Sequence, residues 1–440
     1  MKWQEQYKEK LRTADEVAGM IKSGETICLA VMSQPRLVPQ ALCKRKDELE
    51  EVTVIQPIST TDIDWYKPGY ETAFTVFTGF SGPYSRQALK EKRVQYMIYG
   101  GRPIQTVMTK MPLELRFIDW FIIPTSPPDS NGYVSLGPML WFNRTFLSLA
   151  KRVVAEVNER LIRCFGSASY AHISELDYLV GATFPPTYWE VSRMMSDYER
   201  NCVDAVGSLV ASLVNDGDCI EIGTGTLTST LTPFLEDKHE LGVHTELTVP
   251  GMVDLHRKGV ITGSMKQFHP RKVVATAFII DEADQPYVEL NPGWELYEMG
   301  YTNDPRNIAL NDNVVAINQA LLIDLTGQVA AEGIGHQMLA GAGGQNNFCI
   351  GASMSRGGRT ITVLTSLDDQ GRSRIVPTLP SGTPVSVQRQ FVELVVTEYG
   401  IADLRGLMFT TEKQRAELLI SIAHPDHRAE LRREVQRIYG

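Results

Sequence analysis

Apolar positions along the chain follow two rhythms that take turns. Short β-branched runs at residues 26–31, 52–55, 219–222, 276–280 and 360–364 predict buried strands. Between them, apolar residues recur at helical spacing over 14–22, 37–48, 143–157, 200–214 and 411–422. Alternation of this kind predicts an α/β class built on largely parallel sheets.

One internal similarity organises the chain. Ile21-Lys22-Ser23-Gly24-Glu25-Thr26-Ile27-Cys28-Leu29 leads into an apolar helix and then Lys46-Asp47-Glu48-Leu49. Val214-Asn215-Asp216-Gly217-Asp218-Cys219-Ile220-Glu221-Ile222 leads into a second such helix at 231–235, then Lys238-His239-Glu240-Leu241. The separation stays close to about 193 residues. Two tandem α/β domains of related topology follow, residues 1–186 and 187–440, with the first ending near Phe184-Pro185-Pro186. The halves differ in glycine. The second carries Gly223-Thr224-Gly225 where the first has Val31-Met32-Ser33, and it also holds Gly341-Ala342-Gly343-Gly344-Gln345. Glycine lets a ligand approach the backbone, so chemistry is expected in the second half, with the first as a wall of the cleft.

Charge narrows the choice of partners. The 52 acids and 43 bases give a net charge of -9 with no long block of either sign, which argues against a nucleic-acid footprint. A local positive pocket for a small anion remains compatible with it. No run of 18 apolar residues marks a membrane span, and the polar start Met1-Lys2-Trp3-Gln4-Glu5 lacks the apolar region of a signal peptide. Six cysteines lie far apart without a C-x-x-C pair, as expected of buried thiols in a cytoplasmic protein.

Four constellations could carry chemistry. Glu221-Ile222-Gly223-Thr224-Gly225-Thr226 reads as a strand and a Gly turn opening a helix, whose amides could hold a phosphate or a carbonyl oxygen. A Rossmann or methyltransferase-like nucleotide site uses such a turn, with Glu246 placed as its ribose acid. Against this, Thr228 occupies the third glycine position; a plain tight turn is the competing reading. The Gly341–Gln345 run leaves several amides in need of acceptors, as an oxyanion hole does, or it is a surface loop. Leu241-Gly242-Val243-His244-Thr245-Glu246 ends an apolar strand in a lone acid, where a cleft or merely solvent is expected; His244 reads as structural. His424-Pro425-Asp426-His427 has no second ligand cluster, so Pro425 is read as stopping the helix before it.

Taken together, the chain resembles the class I coenzyme A transferases, in their acetyl-CoA hydrolase/transferase branch. The resemblance runs nearly end to end and is carried by Ser126-Pro127-Pro128-Asp129-Ser130-Asn131-Gly132-Tyr133, Leu241 to Glu246, Tyr301-Thr302-Asn303-Asp304-Pro305 and Ala316-Ile317-Asn318-Gln319-Ala320. Further matches are Asp324-Leu325-Thr326-Gly327-Gln328-Val329, the Gly341 loop, Ser373-Arg374-Ile375-Val376-Pro377 and Val396-Thr397-Glu398-Tyr399-Gly400-Ile401-Ala402-Asp403-Leu404-Arg405-Gly406. It implies two similar open-sheet α/β/α domains of the CoA-transferase, NagB/RpiA-like kind, with the active site between them.

It further implies that Glu246 is the nucleophile and becomes a glutamyl-CoA thioester. Amides of Gly343 and Gly344 would receive carbonyl charge. Gly223, Thr224, Gly225, Thr226, Leu227, Asn318, Gly344 and Gln345 would line the CoA or acyl site. CoA would pass between small acids of the 4-hydroxybutyrate, butyrate, itaconate, succinate or acetate class by a ping-pong route. No metal and no nucleotide redox cofactor is implied; a cytoplasmic homo-oligomer is. In the first half an apolar residue, Val54 or Ile55, is expected opposite Glu246.

The alternatives are an acyl-CoA hydrolase on the same fold, the nucleotide or methyltransferase domain above, and a non-catalytic CoA sensor. The chain departs from the family pattern at Glu221 and Thr228, where relatives commonly have Gln and Pro, and at Asn346-Asn347. The acids in Thr365-Ser366-Leu367-Asp368-Asp369-Gln370-Gly371 and the loop Val31-Met32-Ser33-Gln34-Pro35 depart as well. Met32 and Glu221 point to an altered acyl pocket, an expectation that a sharp rate maximum at acetate or butyrate across an acid panel would overturn.

Overall fold

The structure, a computed structural model, describes residues 2–98, 118–185, 195–341, 343–406 and 410–440. Pro186 and Ala342, and the expected boundary between residues 186 and 187, lie outside the described residues. The chain divides into two compact units: Met1–Trp189 with Thr276–Tyr301, and Glu190–Ala275 with Thr302–Gly440. A single cut does not describe this division, because the excursion Thr276–Tyr301 groups with the first unit.

Strands of the two large sheets are numbered in chain order. The first unit holds β1 (Thr26–Leu29), β2 (Val52–Ile55), β3 (Phe74–Thr78), β4 (Gln95–Tyr96), β5 (Trp120–Thr125), β6 (Arg152–Asn158) and β7 (Tyr178–Ala182). They lie in the order β4-β3-β2-β1-β5-β6-β7, all parallel. The second unit holds β8 (Cys219–Ile222), β9 (Gly242–His244), β10 (Val273–Ala275), β11 (Val314–Gln319), β12 (Arg359–Val363), β13 (Leu394–Thr397) and β14 (Gly400–Asp403). Its order is β10-β9-β8-β11-β12-β13-β14, parallel except for the antiparallel edge strand β14. Both sheets thus start in the middle and grow outward, first one way and then the other. Such a reversal leaves a crevice at the C-terminal ends of the two central strands, here β1 with β5 and β8 with β11.

Core residues explain why these segments hold. Ile27, Leu29, Leu42, Trp120 and Ile122 are buried together in the first unit. In the second, Cys219, Val314 and Ala316 meet Phe348 and Ala352 of the helix Gln345–Met354. Each large apolar side chain so buried contributes roughly 1.5–3 kcal/mol. That helix therefore lies firmly on β8 and β11.

Several elements differ from the sequence expectation. The helical rhythm at 143–157 breaks after Asn143–Leu149, because Ala150 is extended and Val153, Val154 and Val157 continue as β6. β-Branched residues buried on both faces override the helical spacing there. The strand expected at 276–280 lies earlier, at β10. Residues 231–235 form short 3-10 turns, Thr228–Thr230 and Thr232–Leu235, instead of an α-helix. Pro425 opens the helix Pro425–Tyr439, with His424 as its N-cap, rather than closing Glu412–Ser421. All six cysteines are buried and unbridged. No helix among the described residues is long and apolar enough to cross a membrane.

Candidate active site

Every site residue named from the sequence and described by the structure belongs to the second unit. Glu246 follows β9 by two residues, at the C-terminal edge of the sheet, and is 9% exposed. The Asn303 side-chain amide donates to its Oε2, and the Gly344 N–H donates to its carboxylate. Burial outweighs these two donors and pushes its carboxyl from 4.5 to about 7. That rise corresponds to roughly 3 kcal/mol of destabilisation of the charged form. The carboxylate is thus held in place yet poorly solvated.

Glycine is required where the helix Gln345–Met354 begins. A Cβ on Gly344 would collide with Glu246 Oε2 and with the Asn303 amide, and one on Gly343 would stand 3.5 Å from Oε1. Glycine thereby lets the Gly344 N–H come against the carboxylate, beside the Asn303 amide. The helix N-terminus adds favourable potential for negative charge there.

The supporting residues were only partly legible beforehand. Asn303, 3% exposed, stood in the quoted Tyr301–Pro305 match without a role. Two neighbours fix it: Asn347 Nδ2 donates to the Asn303 carbonyl at 2.8 Å, and His244 Nε2 donates to the Thr302 carbonyl at 2.8 Å. His244 is fully buried, and burial lowers it to about 3, so it stays neutral and acts as a strut. Asn347 is one of the departures noted above, and it has this structural task. An Asn pair directly after a Gly-rich turn was the available signal.

The Gly223 turn is braced from within the protein. Its Gly223 N–H donates to the Ile317 carbonyl at 2.8 Å, Gly225 N–H to Thr228 Oγ1 at 2.8 Å, and Leu227 N–H to Gln319 Oε1 at 2.8 Å. Thr226 Oγ1 donates to the buried Glu199 at 3.0 Å, and Thr228 Oγ1 donates back to the Gly223 carbonyl. Gly225 has no side chain because Gln319 fills that space. Thr228, in the third glycine position, clamps the turn with its hydroxyl. No α-helix opens there, and these amides are taken up within the protein, so the turn lacks what a Rossmann phosphate site needs. Thr224 sits at its crest, half-buried.

Asn318, on β11, donates from Nδ2 to Glu221 Oε2 at 2.7 Å. Glu221 is 2% exposed and feels the charge of Glu246. Gln345 keeps a buried Nε2 without a partner among the described residues. Among the described residues, no three His, Cys, Asp or Glu side chains gather as a metal site. The structure therefore brings together Glu246, Gly343, Gly344 and Asn303, and beside them Glu221 and Asn318. The arrangement can do covalent chemistry with a carboxylate: a fixed, poorly solvated oxygen nucleophile, with donors aimed at its own oxygens.

Residues 1–183 match the acetyl-CoA hydrolase/transferase N-terminal domain, and residues 285–435 the acetyl-CoA hydrolase/transferase C-terminal domain. The chain is 34% identical over 439 residues to the 4-hydroxybutyrate coenzyme A transferase of Clostridium kluyveri, covering 99% of this chain and 100% of that protein. It is 33% identical to the succinyl-CoA:cyclohexane-1-carboxylate CoA transferase of Geobacter metallireducens, covering 99% and 97%. The crystal structure of RipA from Yersinia pestis superposes with a TM-score of 0.89 at 31% identity, covering 100% of each chain.

Proposed function

The chain belongs to the acetyl-CoA hydrolase/transferase family of CoA-transferases, and from that premise we propose that it moves CoA between small carboxylic acids through a covalent glutamyl-CoA thioester on Glu246. It is an enzyme of acyl-CoA:carboxylate CoA transfer; the residues, the intermediate and the acids are the proposal.

The Glu246 carboxylate attacks the thioester carbonyl of an acyl-CoA, and the C–S bond breaks to give a mixed acyl-glutamyl anhydride and CoA thiolate. The thiolate attacks the glutamyl carbonyl and expels the first acid as its carboxylate, leaving glutamyl-CoA. A second carboxylate then attacks that thioester, and the same two steps run in reverse. Every attacking group is already an anion, so no proton has to move. One thioester replaces another of similar energy.

The observation that carries this reading is the setting of Glu246: buried, raised to about 7, and, among the described residues, hydrogen-bonded by Asn303 and Gly344. Destabilising its charged form strengthens it as a nucleophile. The two donors that hold the resting carboxylate stay in place when one of its oxygens becomes the thioester carbonyl, and they then meet the charge that grows there on attack. In this reading Gly223, Thr224, Gly225, Thr226, Leu227, Asn318, Gly344 and Gln345 line the CoA or acyl site, and the unpartnered Gln345 Nε2 supports a ligand acceptor near it. The acids belong to the 4-hydroxybutyrate, butyrate, itaconate, succinate or acetate class. The strand order around β8 and β11 supports the finer fold assignment to open sheets of the NagB/RpiA-like kind. Unbridged thiols support a cytoplasmic setting.

The test is intact mass of the protein after brief exposure to a panel of acyl-CoAs, followed by mapping of the modified peptide. We expect an added CoA less one water on Glu246, discharged by a carboxylic acid, and no adduct in Glu246→Gln with kcat/KM lower by about 10⁴-fold or more. An adduct discharged by water alone means a hydrolase. No adduct, with Glu246→Gln as fast as the unaltered enzyme, overturns the reading.

A further inference from the structure

The first turn of the helix Asp197–Ala211 carries a buried acid that the mechanism above does not use. Glu199 is 6% exposed. Its Oε2 accepts the Ser196 N–H at 3.1 Å, and the Ser196 hydroxyl accepts the Glu199 N–H at 3.1 Å, which closes a capping box on its own helix. That task occupies one oxygen. The other, Oε1, meets three separate segments. Thr226 Oγ1 donates to it at 3.0 Å from the Gly223 turn, and Gln319 Nε2 donates at 3.3 Å from the end of β11. The Arg374 guanidinium, itself 13% exposed, stands 3.6 Å away on the chain that follows β12.

These partners also hold one another. Gln319 Nε2 donates to Thr226 Oγ1 at 2.9 Å, and Gln319 Oε1 accepts the Leu227 N–H at 2.8 Å. A helix cap alone is satisfied by Gln as well as by Glu. Two donors and a guanidinium on the second oxygen ask for a carboxylate. An amide would turn its NH2 either to the Ser196 N–H or to Thr226 and Gln319, and one set of donors would lose its acceptor. Thr226 is equally committed: its hydroxyl proton goes to Glu199 while its oxygen accepts from Gln319. The turn is thereby pinned to a helix outside the sheet.

We propose that Glu199 is a positioning residue for acyl-CoA binding: through Thr226 and Gln319 it fixes the shape of the Gly223–Leu227 turn. This rests on the reading above, in which that turn lines the CoA or acyl site and Glu246 is the nucleophile. The turn is held by Glu199, whereas the Glu246 carboxylate is held by Asn303 and Gly344, so different bonds serve binding and bond-making. Loosening the turn weakens ground state and transition state alike, which raises KM and spares kcat.

The test is steady-state kinetics over a range of acyl-CoA concentrations. Thr226→Val, an isostere without the hydroxyl, should raise KM for acyl-CoA by about 10-fold with kcat within about threefold, since a hydrogen bond to a charged acceptor is lost. Thr226→Ser keeps the hydroxyl and should restore KM to within about threefold. Glu199→Ala should raise KM at least as far as Thr226→Val does. Adding Thr226→Val to it should then change KM by less than about threefold, because the bond is already gone. Tyr198→Phe is the control for helix docking: it removes a 2.7 Å bond from the same helical turn to Glu398, which follows β13, and should leave KM unchanged. Additive effects of Glu199→Ala and Thr226→Val overturn the proposal, and so does an equal rise in Tyr198→Phe. Should Glu199→Ala fail to fold, the Thr226 pair decides, and a KM unmoved by Thr226→Val overturns it. Failure of the underlying reading looks different: the unaltered enzyme then forms no adduct on Glu246, and the proposal falls with it.

Discussion

Glu156 in the first unit and Glu246 in the second are both buried glutamates raised by burial, yet they are built for opposite ends. Glu156, fully buried on β6, accepts the Arg36 N–H on Oε2 and the Val38 N–H on Oε1, each at 2.8 Å. It closes the start of the helix Leu37–Cys43, so both its oxygens are committed to peptide groups of the fold. Glu246 is held differently: by one side-chain amide and one glycine N–H, with Gly343 and Gly344 against its oxygens. Strand register shows that neither acid has a counterpart in the other unit. Counting across β1, β5 and β6 against β8, β11 and β12 puts Val363 at the place of Glu156. Counting from β1 to β2 against β8 to β9 puts Pro57 at the place of Glu246, and Cys28 at that of Glu221. Buried charge alone does not make a nucleophile. What sets Glu246 apart is that glycines stand where a side chain would strike its oxygens.

The strongest way to break that contrast is to fill the space. Gly344→Ala places a methyl group where Glu246 Oε2 and the Asn303 amide now stand, so one of the three must move. We expect kcat/KM to fall by about 10²–10³-fold, with the loss mainly in kcat, because the donor aimed at the developing charge is displaced. Steady-state kinetics on a folded variant checks this. A loss below about threefold would mean that the glycine serves the backbone and not the carboxylate.

A milder change sharpens the electrostatics. The Asn303 bond favours the ionised Glu246 against its burial. Removing that bond in Asn303→Ala lets burial act with less opposition, so the carboxyl rises above about 7 and the acid limb of the pH profile moves to higher pH. At pH 7 we expect a loss of about 10–100-fold, partly recovered at pH 8.5, since more of the nucleophile is then ionised. An unmoved acid limb would show that Asn303 does not act on Glu246.

How far the sequence could be read depended on what each feature needs. The two-unit α/β plan follows from local rhythm and an internal repeat, both of which are written in consecutive residues. Glu246 and the Gly343–Gly344 pair could be singled out only through the family resemblance, because an acid at a strand end is as readily solvated and a run of small residues as readily a surface loop. Asn303 was not, because its role depends on a bond to a residue 57 positions away. Opposite Glu246 the sequence repeat pointed to Val54 or Ile55, whereas strand pairing gives Pro57; the loops before β2 and β9 differ in length, so a constant offset slips. The bracing of the Gly223 turn was not legible for a related reason: Gly225 leaves room for the side chain of Gln319, from a strand about 90 residues away, and Gly223 for that of Asn318.

The smallest effect separates the two glutamates by stability alone. A carboxyl whose folded value lies above its unfolded one stabilises the fold in its protonated form. For Glu246 that contribution is fully present below about pH 4.5 and is lost as pH rises through about 7. Glu246→Gln, a neutral isostere, therefore raises stability at pH 8 by up to roughly 3 kcal/mol and changes little at pH 4.5. Glu156→Gln has the opposite sign at pH 8, because an amide NH2 would face one of the two peptide N–H groups now bound at 2.8 Å. Leaving that buried donor without an acceptor costs about 1–3 kcal/mol. Urea unfolding of both variants at the two pH values checks the pair. If both lose stability at pH 8, Glu246 is anchored as Glu156 is, and a site held ready for chemistry at the cost of the fold is not what the second unit contains.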